Sequence, residues 1–530
     1  MPAAAIPNAL PSERTDSAPR RLLPPRPPVA VGVIAAVAGL KLLAHVLVML
    51  FTPYGIHRDS FLYMAMGRHL RFWEMDFPPG IAVVANVARA LFGDSYFGLH
   101  LFPALFGTAL VVGAALIARE LGGGRLAQGL AALAVLVSPL FLRAAALFQP
   151  VVLDQLWWTL GLLALARLAR GMRPGAWILL GVAAGLGLLT KFSIAFFGVA
   201  VLAGVLLTPL RRDLLTPWPW VALAIALSTG SPSIVGQLRL GFPVLEQMNE
   251  LRATQLHRVT HGDFIAEQFL YGPGTLLATA GVLALLFSPR LRAFRSLAWT
   301  AIAAFLLLLA LQGKAYYFGP MYPALYAAGA TYIEGLPSSG ARLAGGAMAV
   351  LLLIFGLVTL PMSLPFLPPP VMARYSLMLG VTPALRTNRG EVGQLPQDYA
   401  DLLGWEDQVR AVAAAYHDLP PEQRADAVVL GNNYGEAGAI DFYGPKYGLP
   451  DAISPRSSYW FFGPGSRPGR VVLSIGVEPE ELRPYFADVR LVGRFDHPWM
   501  VSEERNQPIV VSREPYRTLQ ELWPSFAGRN

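Results

Sequence analysis

The chain has 530 residues, 54% of them hydrophobic and 14% charged, with a mean hydropathy of +0.46. A soluble domain carries roughly 25% charged residues, so a string of soluble domains is excluded. The net charge of +8 does not point to nucleic acid, because most arginines of the first 360 residues lie in short connections between apolar runs, where positive charge sets membrane orientation.

Residues 1–28 are rich in Pro and Arg. They cannot bury enough apolar surface to fold and are expected to form a disordered cytoplasmic tail. The apolar run that begins at Val29 is too long for the core of a cleaved signal peptide, and no small-residue cleavage site closes it. Apolar segments follow at 29–51, 96–118, 126–142, 151–168, 175–190, 193–209, 217–235, 269–287, 297–312, 317–333 and 343–361. Their length matches ~30 Å of hydrocarbon at ~1.5 Å per residue, which predicts about eleven transmembrane helices. Threaded from a cytoplasmic N-terminus, they put Arg119, Arg125, Arg167, Arg170, Arg173, Arg211, Arg212, Arg290, Arg292, Arg295 and Arg342 all on the cytoplasmic side, as the positive-inside rule requires.

The same threading sends 52–95, 236–268 and everything after about residue 362 to the outer face. In the first of these loops, LYMAMGRHLRFW brings Leu62, Met66, Leu70 and Trp73 to helical spacing, and GIAVVANVARALF repeats the pattern with too few residues to span. Two interfacial helices are expected. Beyond the breaker SLPFLPPP at 363–370, the runs 427–433, 470–476, 489–495 and 508–514 read as strands and 398–416 and 478–486 as helices. The division is therefore a transmembrane catalytic domain at 29–361 and a small soluble α/β periplasmic domain at 362–530.

Acidic groups beside a bilayer are costly unless paired or functional, which singles out Asp59, Asp76 and Asp154 on the outer face. Asp59 also fits a helix N-cap, and Asp154 a hydrogen bond between helices. Lys191, at the end of the fifth span, and Lys314, Tyr316 and Tyr317, at the end of the ninth, share that face. A snorkelling ammonium is the plainer reading of each lysine. Together, a carboxylate that takes a proton and cations that hold a phosphate are the minimum for moving a group off a phosphate. His57, Arg58 and His69 can join them. Zinc on His57, His69 and Asp76 matches no standard ligand spacing, so neither metal nor cofactor is expected. Cysteine is absent, which removes thiolate ligands and Cys nucleophiles.

The motifs HRDSFLY through MDFPPG, SPLFLRAAALFQPVVLD, LLTKFSIAFF, GKAYYFGPMYPALYAAGA, NNYGEAGAIDFYG and SSYWFFGPG resemble, in this order, those of the polyprenyl-phosphate-sugar-dependent glycosyltransferases of GT-C fold. The match is to the bacterial family 39 group, related to protein O-mannosyltransferases and the lipid A aminoarabinose transferase. The resemblance implies that Asp59 is the catalytic base and that Lys191, with Lys314 and Arg58, meets the donor phosphate. It also implies that Asp76, Asp154, His57, Tyr316 and Tyr317 meet sugar or acceptor. The family's second acidic residue is replaced by Ser60.

The expected activity is inverting transfer of a sugar from a polyprenyl-monophosphate donor to a lipid, glycan or protein acceptor, on the periplasmic face of a bacterial inner membrane. Nucleotide sugars are not needed and nucleic acid is not a partner. The alternative is a transporter or flippase of lipid-linked sugars. Lys41, near the middle of the first span, favours it; the lack of paired repeats does not.

Overall fold

The computed structural model describes residues 23–380 and 385–526. Most of the expected disordered tail, residues 1–22, lies outside the described residues. Residues 23–28 run across the ends of three helices. There Arg170 donates to the Pro24 carbonyl, Arg119 to Pro27 and Gln128 to Pro28, and Arg26 pairs with Glu120.

The apolar segments are α1 (Val31–Phe51), α4 (Tyr96–Glu120), α5 (Arg125–Val137), α7 (Pro150–Ala169), α8 (Gly175–Leu188), α9 (Ile194–Leu206), α10 (Trp218–Arg239), α13 (Pro273–Phe287), α14 (Arg295–Ala310), α15 (Tyr322–Glu334) and α16 (Ser338–Ser363). Between them lie α2 (Arg58–Arg68), α3 (Gly80–Phe92), α6 (Pro139–Ala146), α11 (Pro243–Thr254) and α12 (His261–Glu267), and α17 (Pro369–Leu379) follows. Every expected span is helical, but the count of eleven is not reached. Among the described residues, six helices are long and apolar enough to cross, or nine if each bent pair is one span. The bends have local causes. α5 breaks into α6 by 58° at Ser138–Pro139, and α9 turns by 105° into a 3₁₀ segment that begins at Pro209. With 14 and 13 residues, α8 and α15 extend only ~20 Å, short of the ~30 Å core.

The bundle core is rich in alanine: Ala114, Ala115, Ala118, Ala131, Ala164, Ala324, Ala327 and Ala328 are all fully buried. Small residues let helix backbones approach closely where lipid offers no hydrophobic drive. Lys41, completely buried in α1, donates to the Phe141 carbonyl at 3.1 Å, and His45 reaches the Leu142 carbonyl at 3.1 Å. These two polar groups of α1 therefore hold α6 in place.

α2 ends at Arg68, so Leu70 and Trp73 lie past it and Trp73 is exposed. α2 does not rest on lipid alone. Most of its residues are buried, packed on one side by α3 and on the other by a helix of the C-terminal domain.

That domain carries α18 (Trp405–His417), α19 (Tyr434–Tyr443) and five strands: β1 (Ala427–Gly431), β2 (Ala452–Ile453), β3 (Val471–Ile475), β4 (Phe486–Phe495) and β5 (Gln507–Pro515). The order is β2-β1-β3-β5-β4. β1 is parallel to β2 and β3, and β5 is antiparallel to β3 and β4. The four expected strands are present and the two-residue β2 is additional. Expected helix 398–416 is split at Gly404, whose φ of +79° starts α18, and expected helix 478–486 shrinks to Pro479–Leu482.

α19 lies against α2 because of two small residues. A Cβ at Gly435 would stand 2.6 Å from Arg58 Cγ, and one at Gly438 would stand 2.6 Å from Phe61 Cβ. The glycines of the NNYGEAGAIDFYG motif thus allow the soluble domain to touch the backbone of α2.

Candidate active site

The site is built at the start of α2. His57 is the N-cap: its Nδ1 accepts the Asp59 backbone N–H at 3.1 Å. Asp59 is thereby released from capping, the plainer role its position suggested. In the first turn its negative charge still suits the helix dipole. Its Oδ1 accepts the Tyr434 hydroxyl at 2.9 Å, and its Oδ2 accepts Gln149 Nε2 at 3.1 Å. Gln149 is the residue before α7, and Tyr434 is the first residue of α19.

The neighbours of Asp59 along the chain turn elsewhere. Arg58 sits 3.6 Å from Asp401, 3.7 Å from Glu503 and 3.4 Å from Glu504, with its guanidinium 6.0 Å over the Tyr434 ring. Its charge is already matched. His57 Nε2 faces Asp401 at 3.9 Å. Ser60 is fully buried and its hydroxyl donates to the Phe148 carbonyl at 3.1 Å. A carboxylate at that position would face a carbonyl oxygen in a dry contact, which is a physical reason for a hydroxyl here.

Across from Asp59, Lys191 follows α8, with its ammonium 5.8 Å from the Tyr316 ring centre and 5.2 Å from that of Tyr317. Among the described residues it has neither a carboxylate within salt-bridge distance nor a hydrogen-bond partner on its side chain. Lys314 donates to Gln255 Oε1 at 2.7 Å and to Asn388 Oδ1 at 2.6 Å. Burial lowers its pKa to about 8, while Asp398 and Asp59 act to raise it and Lys191 to lower it. Lys314 therefore lies in electrostatic reach of both Asp59 and Lys191. Burial also pushes the Tyr316 hydroxyl upward, with Tyr317, Asp398 and Asp59 adding to the effect.

The other expected residues are held in contacts of their own, and of them Asp154 lies close enough to Lys191 to feel its charge. Asp76 is buried. Its Oδ2 accepts the Ser458 hydroxyl at 2.7 Å, its carbonyl accepts Gln237 Nε2 at 2.6 Å, and its Oδ1 finds no partner among the described residues. Burial raises its pKa to about 6. Asp154 accepts Trp158 Nε1 at 3.0 Å and the Ser193 hydroxyl at 2.9 Å, two residues along from Lys191. His69 stacks on Phe462 with centres 4.4 Å apart. No three His, Asp or Glu side chains converge as metal ligands among the described residues.

Sequence reasoning missed Gln149, Tyr434, Arg143, Asp398 and Asp401. Arg143, which pairs with Asp398 and lies 5.8 Å from the Tyr399 ring centre, carried a usable signal, namely one cation in an otherwise apolar helix. Gln149 and Tyr434 lay inside quoted motifs, but only the fold brings them to Asp59.

The comparisons with known proteins agree with this architecture. The family described as dolichyl-phosphate-mannose-protein mannosyltransferase matches residues 76–235, a stretch that includes Asp76, Asp154 and Lys191 but stops short of Asp59 and Lys314. No curated protein matches. Among solved structures, ArnT from Cupriavidus metallidurans bound to undecaprenyl phosphate is 16% identical, with 91% of this chain and 98% of that one covered and a TM-score of 0.59.

The chain has the GT-C fold. The apo form of the same ArnT gives the same identity and TM-score, covering 92% of this chain and 98% of that one. In this GT-C fold the first loop (α2 and α3) and the C-terminal domain meet at one end of the bundle. The basic connections gather at the other end, where Arg167 and Arg170 reach Glu120, Arg290 reaches the Gly122 carbonyl and Arg173 pairs with Asp213.

Proposed function

We propose that this multi-pass membrane protein is an inverting glycosyltransferase that moves a sugar from a polyprenyl-monophosphate donor to a hydroxyl or amine of a lipid, glycan or protein acceptor. The reaction takes place on the periplasmic face of a bacterial inner membrane. The observation that carries the reading is the pairing of an oriented carboxylate, Asp59, with Lys191, a cation that lies beside aromatic rings, at the same end of the bundle. ArnT binds undecaprenyl phosphate, which supports a lipid-phosphate donor for this chain.

The chemistry follows from the geometry. A donor whose tail stays in the bilayer brings its phosphate to headgroup level, where Lys191 can hold it. Lys314 adds positive potential, and Tyr316 and Tyr317 offer ring faces and hydroxyls beside the sugar. Asp59 removes the acceptor proton as the acceptor attacks the anomeric carbon from the face opposite the phosphate. Charge developing on the leaving phosphate is stabilised by Lys191. A single in-line displacement inverts the anomeric centre. A phosphate leaving group needs no general acid, unlike the glycosidases, which use two carboxylates.

The decisive experiment incubates the purified full-length protein with radiolabelled polyprenyl-phosphate sugars. Release of free polyprenyl phosphate is expected of an enzyme; its absence while labelled lipid crosses a vesicle bilayer would establish a transporter instead. Sidedness has a separate test. The chain lacks cysteine, so cysteines placed at the exposed Thr254 and Ser338 should be labelled by an impermeant reagent from outside at 254 only.

A further inference from the structure

Asp59 is held from two sides by neutral donors that come from distant parts of the chain. Gln149 reaches Oδ2 from the α6–α7 junction, and Tyr434 reaches Oδ1 from a helix of the C-terminal domain, 375 residues away. We propose that Tyr434 is a positioning residue for the Asp59 base, so that the soluble domain completes the active site rather than merely adjoining it. This rests on the reading of Asp59 as base given above.

Tyr434 is itself fixed. Asn433 caps α19 by accepting the N–H groups of Gly435 and Glu436 at 2.8 and 3.2 Å. Asn433 Nδ2 donates to Glu504 at 3.0 Å, and Glu504 faces Arg58, whose guanidinium lies over the Tyr434 ring. Gly435 and Gly438 let α19 approach α2 closely enough for the hydroxyl to reach. Burial pushes the Tyr434 pKa well up, reinforced by Asp59 and opposed by Arg58. At working pH the hydroxyl keeps its proton and can only donate to the carboxylate.

The two donors have a chemical consequence. Each carboxylate oxygen keeps one lone pair, and rotation of the carboxylate is arrested, so a fixed lone pair faces the incoming acceptor. The charged groups that bear on Asp59 from the packed elements are Arg58 on α2, Asp401 before α18, and Lys314 before the 3₁₀ segment at 315–321. Tyr434→Phe leaves all three in place, and it keeps the ring under Arg58.

The experiment compares Tyr434→Phe with wild type in the full-length protein, measuring kcat, donor KM and melting temperature, with Asp59→Asn alongside. Loss of a hydrogen bond to a charged group should lower kcat by about 10- to 100-fold. Donor KM and melting temperature should hardly move. A merely structural role would instead lower kcat and the melting temperature together. Full activity, or a fall in kcat that follows a lower melting temperature, would overturn the proposal. An active Asp59→Asn would instead remove the base assignment itself. An inactive Asp59→Asn beside a fully active Tyr434→Phe removes only the role given to Tyr434.

Discussion

The two ends of the helical bundle both carry charge, but they use it differently. At the end away from the C-terminal domain, buried Glu120 is matched by Arg26, Arg167 and Arg170, and Glu334 accepts the N–H groups of Gly124 and Leu126. The buried acids there are taken up inside the fold, while Arg125, Arg211, Arg212, Arg292 and Arg342 are exposed. At the domain-bearing end, Arg58 is matched in the same way, yet among the described residues Lys191 lies over aromatic faces without a salt bridge and the hydrogen bonds that Asp59 accepts on its carboxylate come from neutral donors. Saturated charge locks helices together; unsaturated charge is available for chemistry.

The largest effect that could break this contrast is at Asp59. Asp59→Asn keeps size, turns one acceptor toward Tyr434 or Gln149 into a donor, and cannot take a proton at neutral pH, so transfer should fall at least ~100-fold while the protein stays folded. A variant retaining more than a tenth of wild-type turnover would return Asp59 to the structural class. Lys191→Ala comes next. Losing a charge-assisted contact worth ~1.5 to 3 kcal/mol should cut transfer by roughly 10- to 150-fold and weaken donor affinity. Lys191→Arg should recover only part, because the planar fork sets its donors elsewhere. Normal single-turnover rates in Lys191→Ala would make that lysine an anchor at the membrane surface.

Smaller effects sharpen the comparison. Burial raises the pKa of Asp76 from the ordinary carboxylate range to about 6, so between pH ~4 and 6 the native state binds more protons than the unfolded one. Stability should therefore decline as pH rises from about 4 to 6, by on the order of 3 kcal/mol, and level off above. Asp76→Asn should flatten that part of a melting-temperature profile. If turnover survives as well, Asp76 is a joint between the first loop and Ser458; if it collapses, the carboxylate belongs with Asp59. The mildest catalytic effect should come from Glu120→Gln at the far end. Removing a buried partner of three arginines should lower the melting temperature by several degrees and leave turnover per folded molecule within about twofold of wild type. A large loss of kcat at unchanged stability would dissolve the distinction between the two ends.

Much of the architecture was legible because the membrane imposes it. Apolar length located α1, α4, α7, α10, α14 and α16, and the arginines fell together at one end. Length failed where helices bend or stop short, since a hydropathy window cannot distinguish the broken pair α5 and α6 from a straight span. In the site, Asp59, Lys191 and Lys314 could be found as charges beside apolar runs. Tyr434, Gln149, Asp398 and Asp401 could not, because nothing local marks a tyrosine or glutamine as lying opposite residue 59. Ser60 read as a departure from a pattern; its buried bond to Phe148 explains it only once the fold is known.

The contact between Asp59 and Tyr434 also sets a clock on biogenesis. Asp59, the proposed base, is made within the first 60 residues, whereas the helix that steadies it is made 375 residues later. At about 5 to 20 residues per second, a ribosome needs roughly 20 to 75 seconds to bridge that interval. During it, a nascent bundle already exposes its acid, but the hydroxyl that orients it does not yet exist. The contact with Asp59 thus forms only once α19 has been made, and a product truncated before α19 would lack it.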